Sequence, residues 1–223
     1  MTFDPENMIS VQLGSAVMNT DFSMFVVWWQ LVAGKFAKVV SVGKQAGSPG
    51  SVGTIGGTTS SGIPAGQETG LSVHPADATH PTQYYDAYYY DVNYFGWSRR
   101  QVIDTNQSDT VYPLTAVVQT GIRSAGNLTG AINGTPGNTV PLTGASNGTI
   151  FSGNTAPTGT NTNTTLTLGS IDYPITAHVC ELLVYSVALS KVQQDRIEAY
   201  LAWKWGLQDS LDASSPFRDA KPA

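Results

Sequence analysis

The stretch His178-Val179-Cys180-Glu181-Leu182-Leu183-Val184-Tyr185-Ser186-Val187-Ala188-Leu189-Ser190, running straight into Lys191 to Leu207, decides the fold. Val179 to Tyr185 is an unbroken apolar run with one carboxylate, which predicts a long buried strand. A short turn follows, and then the pattern changes period. Ser190 suits a helix N-cap, and Gln193 three residues on completes a capping box. Ile197, Tyr200, Leu201 and Lys204 recur at helical spacing, so Ile197, Tyr200 and Leu201 are expected to face the rest of the fold. Gly206 closes the segment as a left-handed cap. The prediction is a helix over Lys191 to Trp205, ending in Tyr200-Leu201-Ala202-Trp203-Lys204-Trp205-Gly206-Leu207.

Upstream of this stretch the chain is written in short strands. Thr2-Phe3-Asp4 and Ile9 to Gly14 predict two strands around a turn at Pro5-Glu6-Asn7. Asp21 to Leu31 is the strongest strand signal; it starts in alternation and becomes apolar on both faces, as a central strand would. Lys38 to Gly43, Tyr112 to Thr120 and Thr165 to Ser170 also predict strands. Gln83 to Val102 predicts two more, broken near Asn93 to Gly96. Asn133-Gly134 suits the tight turn of a hairpin spanning Leu128 to Pro136, because both residues tolerate positive φ. Gln45 to Gly70 is rich in Gly, Ser, Thr and Pro and predicts a long loop with room for a weak hairpin; Gly137 to Asn163, low in charge, predicts another loop.

Composition narrows the function. Only 12% of the 223 residues are charged and the net charge is −5. A nucleic-acid ligand calls for a basic face, and the eleven Lys and Arg are scattered. The densest apolar run, Met24 to Trp29, is too short to span a bilayer. No basic segment followed by an apolar one marks Met1 to Asn19 as a secretory signal. Cys180 is the single cysteine and cannot form an internal disulfide. It is expected to be a small core residue. A surface of hydroxyls and amides made without a signal predicts a virus particle assembled in a cytoplasm, with an extracellular or cell-surface site as the alternative.

The strand-turn-helix end resembles the C-terminal signature of the concanavalin A-like lectin and glucanase superfamily, in particular its laminin G-like branch of phage and bacterial surface proteins. Phe3-Asp4 with Ile9-Ser10-Val11 is similar to that family's opening strands, with Pro5 where Gly is usual. Phe22-Ser23-Met24-Phe25-Val26-Val27, Ile132-Asn133-Gly134 and Leu166-Thr167-Leu168-Gly169 resemble its later strands. The resemblance implies an all-β antiparallel jelly-roll sandwich with one C-terminal α-helix over residues 1–207, followed by an extended tail at 208–223. Family members often carry one or two strands before the Phe-Asp segment. The resemblance therefore implies an edge strand that is missing here or supplied by a neighbouring subunit.

Catalysis is not expected. Glucanases of this superfamily place paired carboxylates two residues apart on one strand. The four glutamates here, Glu6, Glu68, Glu181 and Glu198, form no such pair within a strand. Glu181 is expected to be structural, bonded to a backbone or hydroxyl group. His74 and His80 flank Asp77, but prolines follow both, which predicts a solvent loop and no metal site. Calcium is the one cofactor the resemblance raises; Asp4, Asp86, Asp91, Asn93 and Asp172 lie near turns, and no ligands are assigned. The Asn-x-Thr triplets at Asn127, Asn133, Asn147 and Asn163 are compositional.

The sharp feature is the aromatic segment. Tyr84, Tyr88, Tyr90, Asp91, Asn93, Tyr94 and Trp97 are the candidate ligand-binding residues. Flat rings beside hydroxyl-pairing groups suit a glycan, and tyrosine-rich surfaces also suit subunit contacts. Core tyrosines on two ordinary strands are the plain alternative. The leading expectation is a non-enzymatic structural or decoration protein of a phage-like virion, oligomeric with other virion or surface proteins. The alternative is a carbohydrate-binding module attached to host or surface glycans.

Overall fold

The computed structural model describes residues 2–3, 9–12, 21–31, 37–43, 68–74, 84–91, 94–101, 116–141, 165–169 and 176–222. Twelve strands precede one long helix among them. The strands are β1 (Thr2–Phe3), β2 (Ile9–Gln12), β3 (Phe22–Gln30), β4 (Ala37–Gly43), β5 (Glu68–His74) and β6 (Tyr84–Asp91). They continue as β7 (Tyr94–Gln101), β8 (Val117–Ser124), β9 (Asn127–Ile132), β10 (Thr135–Pro141), β11 (Thr165–Leu168) and β12 (Ala177–Tyr185). The helix α1 is Lys191–Trp205, followed by a short 3-10 turn at Gln208–Ser210. Two six-stranded antiparallel sheets form, in the orders β1-β12-β3-β8-β9-β10 and β2-β11-β4-β5-β6-β7. We call them sheet A and sheet B.

Alternation explains how the sheets meet. On β3, Phe22, Met24, Val26 and Trp28 face sheet B and pack with Val40, Val42, Leu71, Val73, Ala87 and Leu166. Gly121 lets the sheets approach closely: a Cβ there would lie 2.8 Å from Leu71 Cδ2 and 3.3 Å from Ala87 Cβ. One neutral polar chain crosses this layer. Trp28 Nε1 donates to Gln119 Oε1 at 3.0 Å, and Gln119 Nε2 donates to the Ser72 carbonyl at 3.0 Å. Each buried donor thus has an acceptor.

The opposite face of sheet A is also buried. Phe25, Val27, Val118 and Ile122 pack against Ala199, Leu201 and Ala202 of α1 and Leu211 beyond it. The expected extended tail instead folds back over this face. Leu211 and Phe217 join the apolar layer, and Trp203 Nε1 donates to the Phe217 carbonyl at 2.9 Å.

The helix occupies the expected residues. Gln193 Oε1 accepts from the backbone N–H of Ser190 at 2.9 Å. Gly206 adopts φ 73°, and Leu207 N–H returns to the Ala202 carbonyl at 2.7 Å, the bond of a Schellman cap. The inward stripe differs from expectation. Tyr200 is 42% exposed, whereas Glu198 is buried beside Leu201 and Ala202. Positions 194, 197, 198, 199, 201 and 202 form the packed stripe, and Tyr200 lies beside it.

Several strands also differ. β5 takes in Glu68 to Gly70 of the stretch expected as loop, and it places His74 at a strand end. β8 runs to Ser124, past the expected end at Thr120, and turns through Ala125 and Gly126, both at positive φ. The break between β6 and β7 falls at residues 92–93. The Asn133-Gly134 turn sits where expected, at φ 50° and 80°. β1 covers only the first part of β12, pairing Thr2 with His178 and Phe3 with Ala177.

Candidate functional site

The aromatic segment is a β-hairpin at the end of the described sheet B. β6 pairs with β5 on one side and β7 on the other, and neither ladder carries a register shift. Unbroken registers let one residue set the faces. Ala87 is buried in the layer between the sheets. Positions 84, 86, 88 and 90 therefore belong to the outward face of the sheet, and 85, 89 and 91 to the inward one. Residues directly opposite share a face. Tyr84 stands opposite Gln101, Asp86 opposite Arg99, Tyr88 opposite Trp97, and Tyr90 opposite Phe95.

The register thus brings Tyr84, Tyr88, Tyr90 and Trp97 together on one outward face. It places Asp91 and Tyr94, paired with each other, on the opposite face. Asn93 lies outside the described residues, as do Asp4, Asp172 and His80. Asp86 and Asp91 fall on opposite faces of β6 and do not converge. The outward face also takes in three residues outside the candidate set, Asp86, Phe95 and Arg99, whose membership depends on register. The pentapeptide Gly144-Ala145-Ser146-Asn147-Gly148 has the spacing of a nucleophile elbow and was passed over. It too lies outside the described residues.

The same face continues across the sheet in polar residues. Trp97, Tyr88, Gly70, Ser41, Thr167 and Ser10 stand successively opposite one another. Ser41 and Thr167 are buried, and among the described residues Ser41 Oγ has no hydrogen-bond partner. Hydroxyls therefore give way to aromatic positions along one row. Gly70 separates them with a position that has no side chain.

A second polar constellation lies on the outer face of sheet A. A bulge at Val179/Glu181 interrupts the pairing of β12 with β3. A bulge puts two consecutive residues on one side of a strand. Cys180 packs in the helix-covered layer, and Glu181 reaches the end of α1. Glu181 Oε2 accepts from Trp205 Nε1 at 2.9 Å and pairs with Lys204 Nζ at 2.8 Å. The expected backbone or hydroxyl partner is replaced by these two side chains. Partial burial pushes the Glu181 carboxyl up, but the Lys204 and Trp205 hydrogen bonds and the Lys204 charge outweigh it. The result lies below the ordinary glutamate value. Burial raises the Cys180 thiol above its ordinary value.

Glu198 was missed as a special residue because a charged helical position reads as surface. Its signal was its spacing, three before Leu201 and four before Ala202. It is 3% exposed, and Thr120 Oγ1 donates to its Oε1 at 2.7 Å. Burial pushes its carboxyl up to about 7, against the Thr120 hydrogen bond and the Lys191 charge, with Asp195 adding to the rise.

No family profile matches the chain, and no curated protein matches it. Solved structures do. Botulinum neurotoxin type C, whose uptake into cells is described as dependent on two ganglioside molecules, superposes with a TM-score of 0.55 at 11% identity. That match covers 86% of this chain and 39% of the toxin chain. Domains LG4-5 of the mouse laminin α1 chain give 0.50 at 9% identity, covering 86% and 43%. A heptameric pentraxin from Limulus polyphemus gives 0.50 at 8% identity, covering 87% and 83%. The chain spans about two fifths of the length of the toxin and laminin chains it matches. Among the described residues, no helix is long and apolar enough to cross a membrane. At these identities the likeness concerns architecture, and the architecture of this chain is the concanavalin A-like jelly roll.

Proposed function

We propose that this chain is a non-enzymatic recognition module that binds a glycan on the outward face of the β6–β7 hairpin. It acts as one of several copies on the surface of a larger assembly, a virion being the leading candidate. The observation that carries this reading is the register that gathers Tyr84, Tyr88, Tyr90 and Trp97 beside Asp86 and Arg99. A sugar offers an apolar C–H face and a rim of hydroxyls. Aromatic positions suit the first, and a carboxylate with a guanidinium suits the second. The low charge of the chain supports a surface whose hydration comes from hydroxyls and amides. The toxin similar in fold, described with gangliosides, supports a glycan as the ligand class.

The test is a glycan array with the native chain and the variants Tyr88→Ala and Trp97→Ala. A positive array with roughly tenfold or greater weakening in both variants is expected, since aromatic anchors dominate binding energy. Unchanged binding in both would remove the hairpin from the site. A second reading, a subunit contact in a particle, draws on the tyrosine content of the same face. It takes over if no glycan binds and the same substitutions abolish incorporation into the particle.

A further inference from the structure

Glu198 stands where four parts of the fold meet. Helix α1 carries it, and β8 supplies Thr120 as its hydrogen-bond donor. The β9–β10 turn lies against its other oxygen: a Cβ on Gly134 would be 3.5 Å from Glu198 Oε2 and 3.8 Å from Asp212 Cβ. The returning C-terminal segment, Leu207 to Pro222, is clipped to that turn. Asp212 N–H donates to the Asn133 carbonyl at 2.8 Å, and Thr135 Oγ1 donates to Asp212 Oδ2 at 2.8 Å. The turn is itself fixed to β8, where Val118 N–H donates to Asn133 Oδ1 at 2.8 Å.

Few charged groups reach this junction, and burial rather than charge keeps the carboxyl protonated. From β3 the facing residues are Ser23, Phe25 and Val27, with no titratable group. From β8 they are Val118, Thr120 and Ile122, and Arg123 occupies the opposite face. From β12 come Cys180, Tyr185 and Glu181, and Glu181 is engaged by Lys204. The β9–β10 turn has no titratable side chain. The returning segment brings the Asp212 carboxylate, and its Arg218 donates to the Asp209 carbonyl. On α1 itself, Lys191 is paired with Asp195.

We propose that Glu198 is a proton-operated latch: protonated, it holds α1, and with it the segment that continues from the helix, onto sheet A, and ionised, it lets them open. The direction follows from where the proton is held. In the closed form the carboxyl keeps its proton up to about pH 7. In the open, solvated form it loses it in the ordinary glutamate range. Between the two, each rise in pH favours opening. The latch is fully set below the ordinary carboxylate range, and its weakening is complete above about pH 7.

The experiment is hydrogen exchange with mass spectrometry on the full chain and on Glu198→Gln, which mimics the protonated side chain. Comparing the two at the same pH cancels the intrinsic pH dependence of exchange. At about pH 5 peptides covering 191–222 should exchange alike in both proteins. At about pH 8 they should exchange faster in the native chain, by up to roughly a hundredfold. Equal exchange at both pH values would overturn the latch. If Glu198→Gln does not fold, Thr120→Val provides the second arm. It removes a bond that favours the ionised carboxylate, so the pH range over which the segment loosens should extend upward. An unchanged range would overturn the proposal equally.

Discussion

Sheet A is packed on both faces, and its two faces handle polarity differently. Toward sheet B, the layer around Trp28 contains neutral polar groups, with Gln119 bridging the indole and the Ser72 carbonyl. Toward α1, the layer around Phe25 contains a carboxylate, Glu198, held by one hydroxyl. The inner layer is lined by strands on both sides, so backbone ladders hold its walls. The outer one is closed by a helix and a segment without sheet pairing, so a few side-chain contacts hold its lid. The difference predicts that damage to the inner layer is global, while damage to the outer layer stays local and depends on pH.

Three substitutions sharpen or break that comparison. Trp28→Ala should have the largest effect, about 3–5 kcal/mol, because it removes a buried indole and strands the Gln119 amide. Chemical denaturation should show one cooperative transition at lower denaturant; a native midpoint would mean the inner layer is not the main core. Leu201→Ala should cost roughly 2–5 kcal/mol, the loss from truncating a buried leucine. Its hydrogen-exchange signature should concentrate in α1 and residues 207–222, and a uniform loss across β3 and β8 would erase the distinction between layers. Trp205→Phe should have the smallest effect, on the order of 1 kcal/mol or less, since it breaks one hydrogen bond at an ion pair whose Lys204 end is solvated. A melting temperature lowered as far as by Leu201→Ala would show the Glu181 cluster to be part of the core.

What could be read in the sequence followed the range of the interactions involved. Ser190, Gln193, Gly206 and the Asn133-Gly134 turn act within a few residues, and each occupies the role its type suggests. The double-sided strand Phe22–Gln30 was legible because both faces are apolar. β5 was obscured because Gly70, Leu71, Ser72 and Val73 offer only two apolar positions beside a glycine-rich stretch. Glu198 was obscured by its charge, since nothing local reveals that Thr120, 78 residues away, meets it. The candidate hairpin was visible as composition. Its division into Tyr84, Tyr88, Tyr90 and Trp97 on one face and Asp91 and Tyr94 on the other needed the pairing with β5 and the burial of Ala87.

The position of β12 governs how the chain can fold. This strand comes twelfth in sequence yet lies between β1 and β3, and it meets β3 along nearly its whole length. The contact from Ser23 Oγ to the Val187 carbonyl spans 164 residues. Sheet A therefore cannot be completed until the region around residues 177–185 has been synthesised, and β3 waits with both apolar faces uncovered. Such non-local pairing makes folding slow, because loop closure is charged before the contacts reward it. During that interval the exposed β3 is the segment most open to wrong partners, and a chaperone that shields Phe22 to Trp28 would raise the yield of native protein.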